Sequence, residues 1–592
     1  MLDMQVKKKK EEIEKREKEL QRRGKELANV RLILFLFFVC LLSLVWWQVE
    51  YRMIFSVTTL LMAVTFLVAA AFHSKVEEER SRLGHCLEII VHYEKRAEGT
   101  WDSFPEDGSK FIREENEHLV DLNVLGKRSV FQFLNISRTV SGQRRLVHSL
   151  TTPPGDGEEW LKTQKAVREL KENFEFALQF QEKLGRIRGL EDMDFEQEMF
   201  PSKKRNSEMG EKITPIIGGI FAFFTDVSLV LACCQILPFT MFGLLAISGF
   251  AYNHLYSMWK KEEYGDAVTF SRIFGAFEDI YRYVCGQEFE SERLRGLAEQ
   301  LALGCEIIRK TEKMSALCRC RDNWLSYLLF NPLFSLNILV LFRYRRIRKQ
   351  GTEGLLQGIN ALEEMEKLIA LAGICWVKQE ICLPEQVSFT KLEMTEVRHP
   401  LLPEEFCVPN DFSCGEKILI ITGSNMSGKS SFMRTVGINL ALMNAGTYVN
   451  ARAFRSPFLK IAASIGIQDD ISRGISTFYG ELMRIKKILE EGEKSGFPMM
   501  VFIDEIFKGT NYNDRIFGAK VVVEKLSKLD GIAMITTHDF ELCELDNSQI
   551  ENYHFAETYE ENKIVFDYKI KEGRCRTTNA RYLMERIGLL ER

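Results

Sequence analysis

The first stretch of the chain, residues 1–31, is almost wholly charged, and apolar side chains interrupt it at a regular interval. Ile13, Leu20 and Leu27 recur every seven residues, a spacing that brings side chains to one face of a helix and is typical of a coiled coil. The many Lys, Arg and Glu residues around them predict a solvated helix. The pattern indicates a charged cytoplasmic helix, which is either part of a short coiled coil or merely the basic flank of a membrane segment.

Two long apolar runs follow within residues 32–72, with only a short polar segment between them. Each run is long enough, or nearly so, to cross a bilayer. Lys and Arg crowd the outer ends of the pair, and Trp46, Trp47 and Tyr51 cluster at the turn like an interfacial belt. We therefore predict a transmembrane hairpin with both ends in the cytoplasm. A buried helical hairpin of a soluble core is the alternative.

A second hydrophobic region, residues 213–256, is broken near Pro238 and flanked by basic residues on both sides. It predicts a second transmembrane hairpin, again with both ends in the cytoplasm. Asp226 falls inside the first of these spans, where a carboxylate is costly and often functional. Burial against a neighbouring helix, or a shifted span boundary, is the simpler explanation of that residue.

A third apolar run, residues 325–342, is interrupted by Pro332 and two asparagines. These interruptions predict a buried helix between domains rather than a membrane span, which remains the alternative. Residues 73–212 and 257–394 carry long charged amphipathic patterns typical of helices. We therefore expect an all-α core around the membrane hairpins.

The pattern changes in the last third of the chain, residues 395–592. Short β-branched runs alternate there with helical segments from Lys417 onward. Strands that alternate with helices are typical of an α/β domain with a parallel sheet. The chain is thus predicted to join a helical, membrane-associated part to an α/β domain.

Composition adds limits to this organisation. With 592 residues the chain is too long for one core, and its 79 Lys and Arg against 83 Asp and Glu leave a net charge of -4. That balance argues against a broad basic nucleic-acid surface, although it allows a local patch. The 14 cysteines are scattered without zinc-ligand spacing and are interpreted as reduced thiols. The first apolar run starts late and has no cleavage site behind it, so the amino terminus is expected to be retained.

The candidate chemistry starts where a buried strand, residues 417–422, leads into Gly-Ser-Asn-Met-Ser-Gly-Lys-Ser and then into an apolar-periodic helix. This is the G-x-x-x-x-G-K-S motif in the strand, loop and helix context that it requires. The glycines let backbone N–H groups point at phosphate oxygens, and the helix adds its positive end. Lys429 is expected to bridge the β- and γ-phosphates, and Ser430 to ligate magnesium. The candidate ATP-binding residues of this loop are Gly423, Ser424, Asn425, Met426, Ser427, Gly428, Lys429, Ser430 and Ser431.

Two further strands end in residues suited to the same chemistry. An apolar run ends in Asp504, which is expected to hold magnesium through water, and Glu505, which is expected to act as general base. Another run, residues 531–537, ends in His538, where an imidazole can contact the γ-phosphate. Because the carboxyl ends of parallel strands meet at one edge of a sheet, we expect these side chains to converge. Glu505, His538 and Lys429 are the candidate catalytic residues.

These motifs resemble the ATPase domain of the MutS mismatch-repair family over about 395–590. The Asn-Met pair inside the phosphate loop is a family feature, and residues 396–401 and 408–411 look like the segment that lines the adenine pocket. The resemblance implies an α/β P-loop ATPase domain of the ABC type that uses ATP and Mg2+. It adds three residues to the candidate ATP-binding set, namely His399, Phe406 and Val408.

The resemblance also covers two loops between the strands. Residues 468–470 and 476–481 are similar to the family's signature loop, which completes the nucleotide site of a partner subunit. Ser476 and Thr477 are therefore expected to act in trans, in a homodimer. Gly-Thr-Asn at 509–511 is at the position of the D-loop, and His538 is at the position of the switch histidine.

A second, weaker resemblance, to the opening of the family's helical core, lies at about 117–155. Departures accompany it: Ser424 stands where the family commonly has proline, Ser427 where it often has glycine, and Asn511 where serine is common. None of them removes a phosphate or magnesium ligand. The charged helix and first hairpin precede the core where a mismatch-reading domain is expected, and the second hairpin displaces the usual clamp. The chain thus resembles a membrane-anchored branch that lacks that domain.

Two functions follow from these observations. The resemblance implies an ATPase coupled to DNA binding of the mismatch-repair type, although direct mismatch recognition is in doubt. The acidic balance favours a membrane-bound mechanical switch, or a protein that recruits an unknown partner, without DNA. A transporter fits less well, because the signature reads Ser-Thr-Phe and the spans are few. In each case we expect a multi-pass protein of the cytoplasmic membrane whose ATPase domain faces the cytoplasm.

Overall fold

The chain forms two compact units in the computed structural model. The first comprises Met1–Asn135, Leu146–Glu182 and Ile369–Arg592, and the second comprises Ile136–Arg145 and Lys183–Leu368. Neither unit is continuous in sequence, so the helical region expected over 73–212 contributes to both. The residues that the structure describes are 2–47, 51–187, 208–322, 324–349, 353–388, 391–415, 417–424, 426–466, 477–507, 510–545, 548–560 and 563–575.

The charged amino-terminal segment is one arm of a helical pair. Helix α1 (Met4–Trp47) packs along helix α2 (Arg52–Glu98). Val6, Ile13 and Leu20 are buried, with exposed fractions of 0%, 3% and 1%. The sevenfold spacing is thus buried from Val6 to Leu20, as the coiled-coil prediction requires, whereas the third predicted position, Leu27, is only half-buried.

The apolar part of the same pair turns its side chains outward. Leu32, Leu60 and Leu67 have exposed fractions of 59%, 67% and 65%. Among the described residues, three helices are long and apolar enough to cross a membrane, judged by length and composition alone: Met4–Leu44, Met53–Glu98 and Ile216–Cys233. Both arms of the first predicted hairpin are among them, whereas the second arm of the region 213–256 is not.

Aromatic packing joins the far end of α2 to the rest of the first unit. The ring of Tyr93 meets those of Phe174 and Trp376 edge-on, with centroids 5.7 and 5.5 Å apart. The backbone N–H of Asp3 donates to the carbonyl of Trp376 at 3.0 Å, which attaches the start of α1 to the same cluster. The helices that follow α2 are α3 (Val130–Leu134), α4 (Val140–Thr151), α5 (Gly157–Glu172) and α6 (Phe174–Gly185).

The second unit is helical in its described part, as the amphipathic patterns predict. Asp226 lies half-exposed on the first of its long apolar helices. The helices are α7 (Glu208–Cys233), α8 (Phe239–Trp259), α9 (Lys261–Ala276), α10 (Glu278–Cys285), α11 (Glu292–Asp322), α12 (Trp324–Phe334), α13 (Leu336–Lys349) and α14 (Glu353–Ala372).

The prediction of one buried helix over 325–342 is wrong. The chain breaks at Ser335, where φ is 48° and the right-handed helix cannot continue. Leu328 and Phe334 expose 52% and 55% of their side chains, while Leu336 and Val340 are buried. The run is therefore two short helices: the first turns apolar side chains outward, while the second is mostly packed and exposes Phe342.

Glu366 is a buried acid of the second unit. Its carboxylate accepts hydrogen bonds from the backbone N–H groups of Arg138, at 2.6 Å, and Thr139, at 3.3 Å, and contacts the Thr139 hydroxyl. Only 2% of the residue is exposed. Burial raises the pKa of Glu366 to about 7, although its hydrogen bonds favour the ionised form.

We expect this carboxyl to make the second unit less stable as the pH rises from about 4.5 to about 7. Over that interval the unfolded chain has already released the proton, whereas the folded chain still holds it, so the stabilisation is lost as the pH passes the folded pKa. The whole effect is about 3 kcal/mol. Thermal unfolding at pH 5 and pH 8 measures it. Glu366→Gln should abolish the dependence, and Glu299→Gln, at an exposed position on α11, should keep it. An unchanged pH profile in Glu366→Gln would contradict the assignment.

The last part of the first unit confirms the α/β prediction. Strands β9, β4, β8, β7 and β6 pair in parallel in that order, and β10 pairs with β9 antiparallel at the edge. A smaller sheet has the order β1-β5-β2-β3. The strands are β1 (Glu385–Gln386), β2 (Leu392–Val397), β3 (Asn410–Cys414), β4 (Ile418–Thr422), β5 (Ala453–Ser456), β6 (Lys460–Ser464), β7 (Met499–Ile503), β8 (Gly531–Thr536), β9 (Ile550–Glu560) and β10 (Lys563–Glu572). The helices are α15 (Lys429–Asn444), α16 (Thr477–Lys494) and α17 (Tyr512–Leu526).

Candidate functional site

The glycine-rich loop connects the central strand β4 to helix α15, as the sequence predicts. Every residue of β4 is buried, and α15 begins at Lys429. Gly423 and Gly428 have φ values of 150° and 106°, which side chains disfavour. A Cβ atom at Gly423 would lie 2.9 Å from the carbonyl oxygen of Phe555. The loop can therefore keep its tight path only with glycine at this position.

The side chains that open α15 face the loop and the next strand. The Lys429 ammonium is buried and donates to the carbonyls of Gly423, at 2.8 Å, and Ser424, at 2.9 Å. The Ser430 hydroxyl donates to the Asp504 carboxylate at 2.6 Å. The loop thus holds a cation at its centre and brings a hydroxyl against the acid that ends β7.

The two acids after β7 are tied to the end of β8 by one hydroxyl group. Thr536 donates from Oγ1 to the Asp504 carboxylate at 2.5 Å and accepts from the Glu505 backbone N–H at 2.8 Å. Glu505 itself has a φ of 51°, and its Oε1 lies 3.2 Å from Nε2 of His538. The structure therefore brings the predicted acids and the predicted histidine together at one edge of the sheet.

The other residues of the phosphate loop differ in exposure. Met426 has a φ of 70° and is 86% exposed, and Ser431 is also exposed on the first turn of α15. Ser427 is 1% exposed, and its hydroxyl has no hydrogen-bond partner among the described residues. Asn425 lies outside the described residues. The buried Ser427 hydroxyl is free to serve a ligand held in the loop.

The upstream segment approaches the loop through β10. Asn410 donates from its amide to the Tyr568 carbonyl at 3.0 Å, and a Cβ on Gly428 would lie 3.1 Å from the Tyr568 ring. Phe406 is 70% exposed, and Val408 is half-buried two residues before β3. The predicted base-binding segment thus lies beside a tyrosine that covers the phosphate loop.

His399 occupies a half-buried position in the same segment. Burial and the positive charges of Lys378 and Arg434 lower its pKa to about 4. Its Nδ1 accepts a hydrogen bond from the Leu401 backbone N–H at 3.3 Å. The imidazole is therefore neutral near pH 7 and is engaged in holding the local turn.

The signature and D-loop predictions fall partly outside the described residues. Ser476 is outside them, and Thr477 is described only as the first residue of α16. Of the D-loop, Thr510 and Asn511 are described. The Asn511 side chain accepts from the Asp514 backbone N–H at 3.0 Å and caps α17. Asparagine caps a helix as well as serine does, so this departure from the family keeps the local structure.

Some residues at the site were not identified by any sequence motif. Thr536 joins the two acids, and Tyr568 covers Gly428. Glu557, on β9, accepts a hydrogen bond from the Ser424 hydroxyl at 2.5 Å. Strand pairing alone brings these residues to the loop, so only the two threonines at the end of β8 offered a signal in the sequence.

A polar junction behind the site connects α15 to α16. Asp121 pairs with Arg484 of α16 at 2.5 Å, and its carboxylate accepts from the Ile465 backbone N–H at 3.3 Å. Its carbonyl accepts from Arg434 of α15 at 3.1 Å. The segment that resembles the start of a helical core is thus attached to both helices that flank the site.

Comparison with known proteins agrees with this geometry. A family model described as MutS domain V matches residues 419–587. The chain is similar to DNA mismatch repair protein MutS of Aquifex pyrophilus, with 33% identity over 323 residues that make up 52% of this chain and 35% of that protein. It is similar to the protein of the same name from Thermus aquaticus, with 31% identity over 237 residues, 40% of this chain and 28% of that protein. The chain thus spans about a third of the length of these relatives.

Proposed function

Because this chain belongs to the MutS family, we propose that it binds and hydrolyses ATP at the edge of its parallel sheet while it is anchored in a membrane. The observation that carries the proposal is the unbroken run of contacts from Ser430 through Asp504 and Thr536 to Glu505 and His538. It gathers a hydroxyl, two acids and an imidazole beside a glycine loop with a buried lysine. Those are the groups that phosphoryl transfer to water requires.

The residues present fit ATP and Mg2+. The path of the loop leaves no room for a side chain at Gly423, as expected where backbone N–H groups approach phosphate oxygens. Ser430 and Asp504 supply the hard oxygen ligands that magnesium prefers. Lys429 exchanges the carbonyls it now contacts for phosphate oxygens. When bound, the metal ion neutralises charge on the phosphates.

Hydrolysis needs a group that takes the proton of the attacking water. Glu505 is the general base. Nε2 of His538 lies 3.2 Å from Oε1 of its carboxylate and helps to hold it in place. At the other end of the nucleotide, Phe406 offers an exposed ring and Val408 an apolar contact for adenine. The neutral His399 lies in the same segment and adds no charge there.

We propose that two chains pair so that Ser476 and Thr477 of one complete the site of the other. ATP then joins the subunits, and hydrolysis releases them. Ser476→Ala should lower turnover about 10²-fold, as expected when one donor to a developing anion is lost. Wild-type ATPase activity per chain should rise with protein concentration. Ser527→Ala, at a half-buried serine just after α17, is the control. Activity that is independent of concentration and unaffected by Ser476→Ala would rule out composite sites.

The membrane anchor is supported by the outward apolar faces of α1 and α2. Their exposed leucines and phenylalanines have no counterpart in a soluble helical hairpin, which buries one apolar face. Outside the apolar part, the same two helices form the charged coiled coil. The end of this coiled coil that is farthest from the hairpin contacts the aromatic cluster of the first unit. We infer that the hairpin over residues 32–72 lies in the bilayer and that the ATPase domain faces the cytoplasm.

The purpose of the ATP cycle has two candidates. The relatives are named as DNA mismatch repair proteins, which favours coupling of hydrolysis to DNA. The net charge of -4 favours a mechanical switch that moves the membrane hairpins or recruits a partner without DNA. We propose the first as the function, with shape or backbone recognition rather than mismatch reading as the mode.

The effect of duplex DNA on turnover decides between them. We expect DNA to stimulate the ATPase of detergent-solubilised protein at low salt, and the effect to fall steeply as salt rises, because phosphate contacts release counterions. Heteroduplex and fully paired DNA should act equally. No change in rate or binding at low salt would exclude the DNA function and leave the switch, while ATP hydrolysis itself would stand.

A further inference from the structure

The third apolar run reverses direction at Ser335, where polar groups of neighbouring helices surround the turn. At Ser335, between α12 and α13, the backbone N–H donates to the Asn331 carbonyl at 2.9 Å. The Ser335 hydroxyl donates to the Gly218 carbonyl of α7 at 2.9 Å and accepts from the Asn253 amide of α8 at 3.2 Å. Ser335 and Asn253 are buried. The backbone N–H and the hydroxyl of Ser335 are therefore both paired inside the protein.

The chain before α12 and the chain at the end of α13 contact the same position along α9. Arg321, at the end of α11, stacks over Tyr264 with its guanidinium 4.1 Å from the ring centroid. Arg345, in α13, forms two hydrogen bonds of 2.6 and 2.7 Å with Glu263. Because Tyr264 and Glu263 are neighbours on α9, the chain enters and leaves at one height. The run is thus a hairpin and does not continue to the opposite side.

The hairpin packs against the two helices of the second predicted membrane region. A Cβ on Gly218 would lie 2.5 Å from Ile338 of α13. Gly249 of α8 faces the Pro332 carbonyl, 3.9 Å from where its own Cβ would be. Small residues that let helices approach closely are common between membrane helices. The tip of the hairpin therefore lies partway along α7 and α8.

The opposite face of the hairpin is apolar and exposed. Leu328, Phe330, Phe334 and Phe342 expose between 41% and 55% of their side chains. The run Arg343 to Lys349 follows at once and carries five basic residues. From Phe342 to the turn there are about 10 Å of helix, less than half of the roughly 30 Å of a hydrocarbon core. The apolar length suits one leaflet.

Lipid is the occupant that these features favour. Helix α7, against which the hairpin packs, also exposes apolar side chains and is long and apolar enough to cross a membrane. The basic residues at its end match the phosphate groups of the leaflet surface. Backbone that leaves the helix at membrane depth is tolerated where protein buries it, as it does at Ser335.

We propose that α12 and α13 form a re-entrant hairpin that enters the bilayer from the cytoplasmic side, turns at Ser335, and contacts the acyl chains of that leaflet. The inference rests on the proposed membrane anchoring. It adds a lipid-facing surface in the second unit that neither spans the membrane nor packs in a soluble core. The ATPase chain is thereby coupled to one leaflet directly.

The unmodified protein in lipid vesicles tests this surface. A phospholipid with a photoreactive diazirine at its acyl terminus should label the tryptic peptide 322–343. It should also label peptide 32–52 of the first hairpin. Peptide 296–309 of α11 is the control, because it exposes an apolar side chain, Leu303 at 59%, yet lies outside the hairpin. We expect no label on this control peptide.

A second measurement separates a hairpin from a span. In sealed vesicles with the cytoplasmic face outward, a membrane-impermeant amine reagent should modify Lys313 and Lys349 to the same extent, since both are exposed and precede and follow the hairpin. Protection of Lys349 alone would show a span and overturn the proposal. Labelling of 32–52 without 322–343 would also overturn it and leave the anchor intact. Absence of label from both peptides would overturn the anchor as well.

Discussion

Glu505→Gln lowers the turnover of ATP by about 10²-fold or more and leaves nucleotide bound, which is the expected result for loss of a general base. Glutamine keeps the size of the side chain and one oxygen within reach of His538, but it cannot accept a proton from water. The Asp504 and Ser430 pair and the lysine are untouched, so ATP and magnesium should still bind. Stalled chains should accumulate as dimers, because the nucleotide that joins them is not consumed.

Single-turnover hydrolysis and sedimentation with ATP measure the two effects in Glu505→Gln. Glu524→Gln is the matched control, since that glutamate pairs with Lys528 on the exposed side of α17. It should hydrolyse ATP at the wild-type rate. Normal turnover by Glu505→Gln would remove this residue from the role of base. A slow variant without dimers would separate the base from the proposed pairing.

Lys429→Ala weakens ATP binding by roughly 10-fold to 100-fold, the value of losing charge-assisted hydrogen bonds to phosphate. The ammonium is buried at the centre of the loop, where it contacts the carbonyls of Gly423 and Ser424. Without it, those carbonyls face the negative phosphates alone. Equilibrium binding of a fluorescent ATP analogue gives the change in affinity directly.

Lys417→Ala is the control for the lysine, because it changes a half-exposed lysine just before the opposite end of the same strand, β4. It should bind nucleotide as the wild type does. Thermal unfolding without nucleotide shows that each variant is folded. Equal affinity in Lys429→Ala and wild type would mean that the loop is not the phosphate site.

The local motifs were predictable because their information lies in neighbouring residues. A buried strand, two glycines and a lysine within thirteen residues specify the loop, since backbone sterics decide where glycine is needed. The acids after β7 and the histidine after β8 followed from the rule that parallel strands end at one edge. The sevenfold spacing of Ile13 and Leu20 likewise predicted the face that is buried.

One prediction fails because the outcome depends on residues far away in the chain. The proline and two asparagines within 325–342 predict one buried helix rather than a membrane span. In the structure the chain turns at Ser335, because α7 and α8 supply partners for its polar groups. The turn depends on residues about eighty and about a hundred and twenty positions away. Periodicity within the run carries no information about them.

Side-chain spacing and local backbone preference are enough to predict the phosphate loop, the alternation of strands and helices, the coiled coil and the apolar segments. Four features depend on how the elements pack: Thr536 joins the two acids, Tyr568 covers Gly428, Asp121 connects α15 to α16, and the third apolar run is a hairpin. These contacts link residues far apart in the chain, and packing of whole elements chooses among many partners that the same patterns allow.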